Sequence, residues 1–217
     1  MDTDTDILKY YSLDEMCKEK AHLYQIIGKR ACGKTLLTKY LSKKIIKNKN
    51  IESITIFTNE CNNYSEFNNA NIFLEYNSDI LKDLINKQRP RVDQKPILII
   101  MDDCIFDKKI NNDENFKKIV LNSRGFNIYL ILTFSYCYHL SPQLRCNFDY
   151  ILSNKYSHMI DIKKLYESYF GMIPKFDIFN NFINKLDKYE FILADYTLPS
   201  NKIIDNIGYF KLNNDES

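Results

Sequence analysis

The chain has 217 residues, 45% of them hydrophobic, and a formal net charge of +2. The length and the hydrophobic share suit one sizeable domain with a buried core. The small net charge gives no sign of a uniformly basic surface, although a local basic patch is not excluded. Its six cysteines form no C-x-x-C pair and have no histidine cluster nearby, which argues against a metal site or a disulfide framework and favours free thiols in a reducing compartment. No stretch approaches the roughly 20 apolar residues of a membrane span, and the acidic start lacks the apolar segment of a signal peptide, so we expect an intracellular protein without a transmembrane segment.

The first 20 residues are polar and contain one short helical pattern. Polar chain ends that are not tied to a core are usually poorly ordered. We therefore expect residues 1–20 to form a mobile leader and a single domain to occupy residues 21–217.

The most informative stretch joins an apolar run, residues 23–27, to the sequence GKRACGKT and a helical pattern over about residues 35–47. The loop consists of Gly28, Lys29, Arg30, Ala31, Cys32, Gly33, Lys34 and Thr35. It matches G-x-x-x-x-G-K-[ST] without a mismatch, in the strand-before, helix-after context that this motif requires. We therefore predict a phosphate loop that binds a nucleotide, rather than a chance match.

The spacing of this loop has a physical reason. Gly28 and Gly33 allow the backbone to turn tightly and point its N–H groups at phosphate oxygens. The helix that follows adds the partial positive charge of its N-terminus. Lys34 is placed to reach the β- and γ-phosphates, and the Thr35 hydroxyl is placed to ligate Mg²⁺.

A second strand is predicted at residues 53–57, because they alternate and are β-branched. An Asn-rich loop follows at 59–71, then a short strand at 72–75 and a helix at about 78–87 that begins with a Ser-Asp cap. Residues 97–101 are continuously apolar, which is typical of a strand covered on both faces, and they lead into Asp102 and Asp103. Behind a phosphate loop, the first acid at such a strand end holds Mg²⁺ through water and the second polarises the attacking water.

The remaining pattern alternates between helices and strands. We predict a helix at 112–121, a turn at 122–127, an apolar strand at 128–133 and a strand at 150–152. The 128–133 strand ends in Thr133-Phe134-Ser135-Tyr136, the place where a polar residue can sense the γ-phosphate. Helices near 160–169 and 177–186, a strand at 190–194 and a final segment near 208 complete an α/β extension over about 155–213. The alternation predicts an α/β fold, a mostly parallel sheet with helices on both faces and a ligand at the carboxyl ends of its strands.

Several segments resemble the genome-packaging ATPases of large double-stranded DNA viruses, of the poxvirus, iridovirus and mimivirus kind, in the FtsK/HerA-like branch of P-loop ATPases. The segments are IIGKRACGKT, FTNECNNYSEF, MDDCIFDKK, NSRGFNI, LSPQLRCNFDYI, FGMIPKFDIFNNF and LPSNKIIDNIGYFK. The resemblance covers roughly residues 22–211, and several of these segments are unusual among P-loop proteins, so the combination is specific.

The resemblance implies a P-loop NTPase with a RecA-like core, ATP and Mg²⁺ as ligands, and a homo-oligomeric ring that drives double-stranded DNA into a viral capsid. It also implies viral capsid or membrane-associated assembly proteins as partners and a location in the host cytoplasm (viral factory) or the virion. By position it assigns Lys34 and Thr35 to the phosphate loop, Asp102 to the Mg²⁺ acid and Asp103 to the catalytic base.

Two arginines are further catalytic candidates under this resemblance. Arg124 matches an arginine that precedes the fourth core strand, and it is a candidate finger toward the ATP of a neighbouring subunit; Arg145 is a second candidate. A guanidinium delivered to the transferring phosphoryl group stabilises charge that develops only in the transition state, and it can be worth about 10³–10⁵ in rate. Ordinary roles stay open for both, Arg124 as a surface arginine and Arg145 as an anchor for Asp149.

Two departures from the family pattern leave alternative functions open. Ser135 stands where the family usually has Gln, and Gly125 stands where it has His. A nucleotide-binding assembly protein without turnover is therefore one alternative, and a nucleoside or nucleotide kinase is another. The acid pair and the arginine before the fourth strand favour hydrolysis. Candidate DNA contacts are the basic residues Lys87, Arg89, Arg91 and Lys95.

Overall fold

The computed structural model describes residues 8–17, 22–89, 94–104, 108–137, 140–200 and 203–212. Within those ranges the chain forms nine strands and eight helices. The strands are β1 (Lys9–Tyr10), β2 (Leu23–Ile27), β3 (Ser53–Thr58), β4 (Ala70–Phe73), β5 (Ile97–Asp102), β6 (Ile128–Phe134), β7 (Tyr150–Ser153), β8 (Glu190–Asp195) and β9 (Ile207–Lys211). The helices are α1 (Leu13–Met16), α2 (Lys34–Lys49), α3 (Ser78–Lys87), α4 (Glu114–Asn122), α5 (Pro142–Arg145), α6 (Met159–Tyr169), α7 (Phe176–Lys185) and α8 (Ile203–Asn206).

All nine strands belong to one sheet, in the order β1-β9-β8-β7-β2-β6-β5-β3-β4. Every described strand pairing is parallel except the two made by β8, which runs antiparallel to β7 and to β9. The predicted α/β fold with a mostly parallel sheet is thus confirmed. None of the helices in the described ranges is long and apolar enough to cross a membrane.

Helices cover both faces of this sheet, and the central strands show why. In β5, Ile99 and Met101 belong to one hydrophobic core cluster, whereas Leu98 and Ile100 belong to a second one. Successive side chains of a strand point to opposite faces. A strand that is apolar at every position must therefore be covered twice, as expected for a parallel sheet.

The parallel strands set up two edges with different roles. Register pairs such as Ile27 with Phe134, Thr58 with Asp102, and Ile27 with Ser153 align the ends of β2, β3, β5, β6 and β7. We call this the carboxyl edge, and we call the side where the same strands begin the amino edge. Because β8 is antiparallel, it begins at the carboxyl edge and ends at the amino edge.

The predicted mobile leader is wrong for residues 8–17. Lys9 and Tyr10 pair with β9, and the side chains of Tyr11 and Met16 are fully buried. A capping box at Ser12 starts the short helix α1. The rest of the predicted leader, residues 1–7 and 18–20, lies outside the described ranges. A two-residue strand is too short to show a hydrophobic pattern in the sequence. Its order here comes from pairing with β9.

Candidate nucleotide-binding site

The phosphate loop follows β2 at the carboxyl edge and leads directly into α2. The Gly28 N–H donates to the Phe134 carbonyl at 3.0 Å, which ties the start of the loop to the end of β6. Gly33 has a φ of 98° and lies against other side chains: a Cβ at this position would come within 2.7 Å of the Tyr189 ring. Left-handed backbone with so little room admits only glycine. No side chain caps the N-terminus of α2, so its first N–H groups remain available to an anion.

Lys34 is buried and its ammonium lies inside the loop. Its Nζ donates to the Gly28 carbonyl at 2.8 Å and to the Lys29 carbonyl at 3.3 Å. The same Nζ lies 2.9 Å from Asp103 Oδ2. The lysine of the loop and Asp103, the residue after β5, therefore face one another.

Asp102 is the most enclosed acid of the site, with 4% of its surface exposed. Three hydroxyls donate to its carboxylate: Thr35 Oγ1 to Oδ2 at 2.8 Å, Tyr64 OH to Oδ2 at 2.9 Å and Thr133 Oγ1 to Oδ1 at 2.7 Å. A buried carboxylate is expensive unless its lone pairs are satisfied. The three hydroxyls satisfy both carboxylate oxygens beside the loop.

Asp103 sits just past the end of β5 in a left-handed conformation, with φ 46°. Its backbone N–H donates to Thr133 Oγ1 at 2.9 Å, and its carbonyl accepts from Asn59 Nδ2 at 2.9 Å. Its Oδ1 accepts from Ser135 Oγ at 3.2 Å. Non-glycine residues adopt positive φ infrequently, and then mostly where surrounding contacts fix them. The contacts of this backbone hold the Asp103 carboxylate against Lys34 and Ser135.

Ser135 stands between the loop and the acid strand, because β6 separates β2 from β5 in the sheet. Its carbonyl accepts from Tyr156 OH at 2.8 Å, which anchors it from the far side. This is the position that the sequence assigned to a γ-phosphate sensor.

The thiols and phenols around the site are held in their neutral forms. Burial raises the pKa of Cys104 to about 12, with a smaller contribution from the neighbouring Asp102. Burial likewise raises the pKa of Cys32, in the loop itself, and that of Tyr64, to which Asp102 also contributes. Cys32 and Cys104 are therefore poor nucleophiles. The groups left for chemistry at the site are the Lys34 ammonium, the carboxyl groups of Asp102 and Asp103, and several hydroxyls.

The outer positions of the loop are exposed. Lys29, Arg30 and Ala31 lie at the surface, Ala31 with a φ of 61°. Lys29 Nζ donates to Ser157 Oγ at 3.3 Å, which connects the tip of the loop to the segment after β7. The eight predicted loop residues thus lie together at one edge of the sheet.

The two arginine candidates lie elsewhere, at the amino edge. Arg124 makes a close ion pair with Asp149, a buried carboxylate that also accepts the N–H groups of His22 and Leu23 at 2.8 and 2.9 Å. The guanidinium of Arg145 lies over the Tyr169 ring, 5.6 Å from its centroid. Strand β6 separates Arg124 from Ser135 and spans roughly 20 Å at ~3.3 Å per residue. Arg124 is therefore not placed to reach the phosphate loop of its own chain.

The anchor of Asp149 is thus Arg124, where the sequence suggested Arg145. Three of the candidate DNA contacts, Lys87, Arg89 and Lys95, are exposed near the same amino edge. The fourth, Arg91, lies outside the described residues.

Sequence reasoning missed the hydroxyl donors that complete the site. Tyr64 lies in a 3₁₀ turn, Cys61–Tyr64, within the stretch predicted as a plain loop. Thr133 lies within β6 and looks like an ordinary β-branched strand residue. The position of each residue in the sequence could have indicated it. Ligands bind at the carboxyl edge of such a sheet, so a polar residue near the end of a predicted parallel strand, or in the segment that follows, is a candidate for the site.

In the described part of the chain no group of three or more His, Cys, Asp or Glu side chains could hold a metal ion. Thr35 and Asp102 nevertheless place two hard oxygen atoms 2.8 Å apart beside the loop. Oxygen donors of this kind suit Mg²⁺, which needs only one or two protein groups when phosphates and water supply the others.

No protein-family model matches the chain. An uncharacterized protein of Acanthamoeba polyphaga mimivirus is 28% identical over 170 residues, which cover 71% of this chain and 60% of that protein. An uncharacterized protein of Invertebrate iridescent virus 6 is also 28% identical, over 179 residues that cover 79% of this chain and 67% of that protein. The chain therefore spans about three fifths to two thirds of the length of these relatives.

Solved structures share the fold. The genome packaging NTPase B204 of Sulfolobus turreted icosahedral virus 2, in complex with AMPPCP, superposes with a TM-score of 0.67 at 16% identity, covering 89% of this chain and 99% of that one. The pCW3 conjugation coupling protein TcpA with ATPγS gives a TM-score of 0.63 at 10% identity, covering 91% of this chain and 61% of that one. The structural neighbours and the viral relatives agree with the resemblance noted in the sequence, and the neighbours share the predicted α/β fold.

Proposed function

We propose that this chain binds ATP with Mg²⁺ at the carboxyl edge and hydrolyses it to translocate double-stranded DNA, in the packaging of a viral genome. One observation carries the proposal. The phosphate-loop lysine and threonine each contact one member of the acid pair, Lys34 with Asp103 at 2.9 Å and Thr35 with Asp102 at 2.8 Å. The phosphate loop, two oxygen ligands suited to Mg²⁺ and a candidate general base therefore lie within one site, as hydrolysis requires.

The charges of the site suggest how the chemistry is divided. A triphosphate on the loop places negative oxygens next to the Lys34 ammonium, which then exchanges its carboxylate partner for phosphate. Asp103 is thereby released to orient a water and accept its proton. The strained backbone at Asp103 and the Ser135 hydroxyl keep that carboxylate near the place where the γ-phosphate lies.

The metal has a matching pair of donors. Thr35 Oγ1 and the Asp102 carboxylate would hold Mg²⁺, directly or through water, and the bound ion would neutralise charge on the phosphates. Tyr64 and Thr133 then keep the Asp102 carboxylate in a fixed orientation from the opposite side. Outer groups of this kind tune a metal site through the ligand they hold.

An arginine finger must come from a neighbouring copy of the chain. Arg124 lies at the amino edge, away from its own loop, and Arg145 lies four residues before Asp149 at that edge. A ring that sets the amino edge of one subunit against the carboxyl edge of the next would deliver them. Arg124 already neutralises the buried Asp149. We therefore assign the finger to Arg145 and a structural role to Arg124.

Support for DNA as the translocated partner is of two kinds. Two of the structural neighbours are a viral genome packaging NTPase and a conjugation coupling protein. The exposed basic residues Lys87, Arg89 and Lys95 give the chain a local positive surface despite its small net charge. Capsid or membrane-associated assembly proteins would complete the machinery, in the host cytoplasm or the virion.

A γ-phosphate release assay, with and without double-stranded DNA, tests this function against its alternatives. Release that increases with DNA supports the motor. Transfer of the phosphate to an added nucleoside or nucleotide supports a kinase. ATP binding without release supports an assembly protein that has lost turnover, a possibility raised by Ser135 in place of the family's Gln.

A further inference from the structure

The ring of Tyr189 packs directly against the phosphate loop. Atoms Cδ1 and Cε1 of this ring would lie 2.7 and 3.3 Å from a Cβ on Gly33. Tyr189 immediately precedes β8 and is half-buried. None of the phosphate chemistry described above uses it, so its place beside the loop has no explanation in the hydrolysis site.

The topology of the sheet fixes which end of a bound nucleotide would lie near Tyr189. Asp102, Asp103 and Ser135 all lie on the β6–β5 side of the loop, and these groups define the γ-phosphate end. The α-phosphate, the sugar and the base must therefore extend toward the other side of the loop, where β7 and β8 stand. This step rests on the proposed nucleotide binding.

The β7–β8 side is joined to the loop by Asn154. Its N–H donates to the Ile27 carbonyl at 3.1 Å, and its Nδ2 donates to the Glu190 carbonyl. The residue before Glu190 is Tyr189, so Asn154 connects the backbone beside Tyr189 to the residue that precedes the loop, through one backbone and one side-chain hydrogen bond.

The ring is also held in a defined orientation. Tyr189 has a φ of 65°, a left-handed conformation that an aromatic residue rarely adopts, and its carbonyl accepts from the Leu212 N–H at 3.1 Å. Backbone strain of this kind persists only where neighbouring contacts fix it. The ammonium of the exposed Lys188 lies over the ring, with Nζ 4.8 Å from its centroid.

We infer that Tyr189 is the stacking platform for the nucleobase of the bound nucleoside triphosphate, which would replace the exposed Lys188 ammonium over the ring. An aromatic ring at the edge of a phosphate site offers a planar surface to a planar base, and stacking of a base on an aromatic side chain is worth about 1–3 kcal/mol. A π-face is common to all bases. The platform thus contributes affinity for nucleotides over inorganic polyphosphate and little discrimination between ATP and GTP.

Binding of ATP and of inorganic tripolyphosphate to the full chain, both with Mg²⁺, separates the base from the phosphates. We expect Tyr189→Ala to weaken ATP binding by ~5–150-fold, which is the stacking energy converted at 1.36 kcal/mol per tenfold, and to leave tripolyphosphate binding unchanged. Tyr189→Phe keeps the ring and should bind ATP like the unmodified chain. Tyr209→Ala is the matched control, because Tyr209 is also half-buried but packs on Tyr10 with ring centroids 5.5 Å apart.

Each other outcome overturns the inference in a distinguishable way. Unchanged ATP binding by Tyr189→Ala, with normal binding by the unmodified chain, would mean that the base lies elsewhere, while the proposed function stands. Equal loss of ATP and tripolyphosphate binding would mean that Tyr189 only supports Gly33 and the shape of the loop. Failure of the unmodified chain to bind either ligand would overturn the proposed function and this inference with it.

Discussion

The Thr35 hydroxyl donates to Asp102 Oδ2 at 2.8 Å, and this hydrogen bond joins the phosphate loop to the acid strand across 67 positions of sequence. The same carboxylate oxygen accepts from Tyr64, while Thr133 satisfies the other oxygen. The carboxylate is only 4% exposed, and hydroxyl donors satisfy both of its oxygens. The loop thereby acquires a fixed partner at its threonine.

Lys34→Ala should weaken nucleotide binding, abolish turnover and leave the fold intact. The ammonium lies among the Gly28 and Lys29 carbonyls inside the loop, and charged hydrogen bonds contribute about 1.5–3 kcal/mol each. We expect at least about a tenfold loss of ATP affinity from one such bond, with an unchanged circular dichroism spectrum. Lys43→Ala is the matched control, because Lys43 lies on the same helix but pairs with Glu66. Turnover that survives Lys34→Ala would refute the assignment of the loop.

Tyr64→Phe should raise the Mg²⁺ concentration needed for turnover. The substitution removes one of three hydroxyl donors to Asp102, so the carboxylate becomes less fixed in orientation. The free energy of unfolding should fall by about 1–3 kcal/mol, as for the loss of a hydrogen bond to a charged group. Both quantities are measured, by Mg²⁺ titration of phosphate release and by urea unfolding.

Tyr24→Phe separates the two effects of that substitution. Tyr24 is also fully buried, and its hydroxyl donates to the Met16 carbonyl at 2.9 Å, away from the acid pair. This variant should lose stability without any change in Mg²⁺ dependence. An equal shift of the Mg²⁺ dependence in both variants would show that Tyr64 acts through general stability alone.

The sequence was sufficient for the parts of the site that have a fixed local spacing. The loop of residues 28–35 carries its own signature, and the Asp102–Asp103 pair is marked by the continuously apolar strand before it. Both predictions depend on rules about neighbours in sequence, namely a glycine spacing and the length of an apolar run. Those rules hold regardless of how the remaining chain folds.

The contacts that hold the acids could not be obtained in the same way. Tyr64 is separated from Asp102 by 38 positions, inside an Asn-rich stretch without periodicity. Periodicity shows which face of an element is buried but not which distant group it meets. The antiparallel direction of β8 and the pairing of β1 with β9 are equally non-local, since both depend on which strand edge is available at the end of the sheet.

Arg124→Ala should lower stability more than Arg145→Ala does. Removing Arg124 leaves Asp149, whose side chain is 5% exposed, with only the His22 and Leu23 N–H donors. We expect a loss of about 1 kcal/mol in the free energy of unfolding, because Arg124 itself is largely solvated. Chemical denaturation of both variants measures the difference.

Turnover should show the opposite order, with Arg145→Ala losing more activity than Arg124→Ala. If Arg145 is the finger, Arg145→Ala loses phosphate release while its unfolding midpoint changes little. Loss of release by Arg124→Ala at full stability, with Arg145→Ala still active, would return the finger role to Arg124.

His22 should make the fold less stable in mild acid. Its ring is 8% exposed, stacks on Tyr129 with centroids 4.4 Å apart, and has Nδ1 3.3 Å from the Ile128 carbonyl. Burial lowers the pKa of His22 below its ordinary value, and the nearby Arg124 acts in the same direction, whereas the Ile128 carbonyl and Asp149 oppose it in part.

The sign of the effect follows from proton uptake. The unfolded chain takes up a proton near pH 6.5, but folded His22 does not until the pH falls further, so stability is lost as the pH drops below about 6.5. His22→Gln should therefore flatten the difference in the free energy of unfolding between pH 7.5 and pH 5.5. His158→Gln, at an exposed position before α6, should leave that difference as it is in the unmodified chain. A pH dependence that is the same in all three proteins would place its origin in the carboxylates and not in His22.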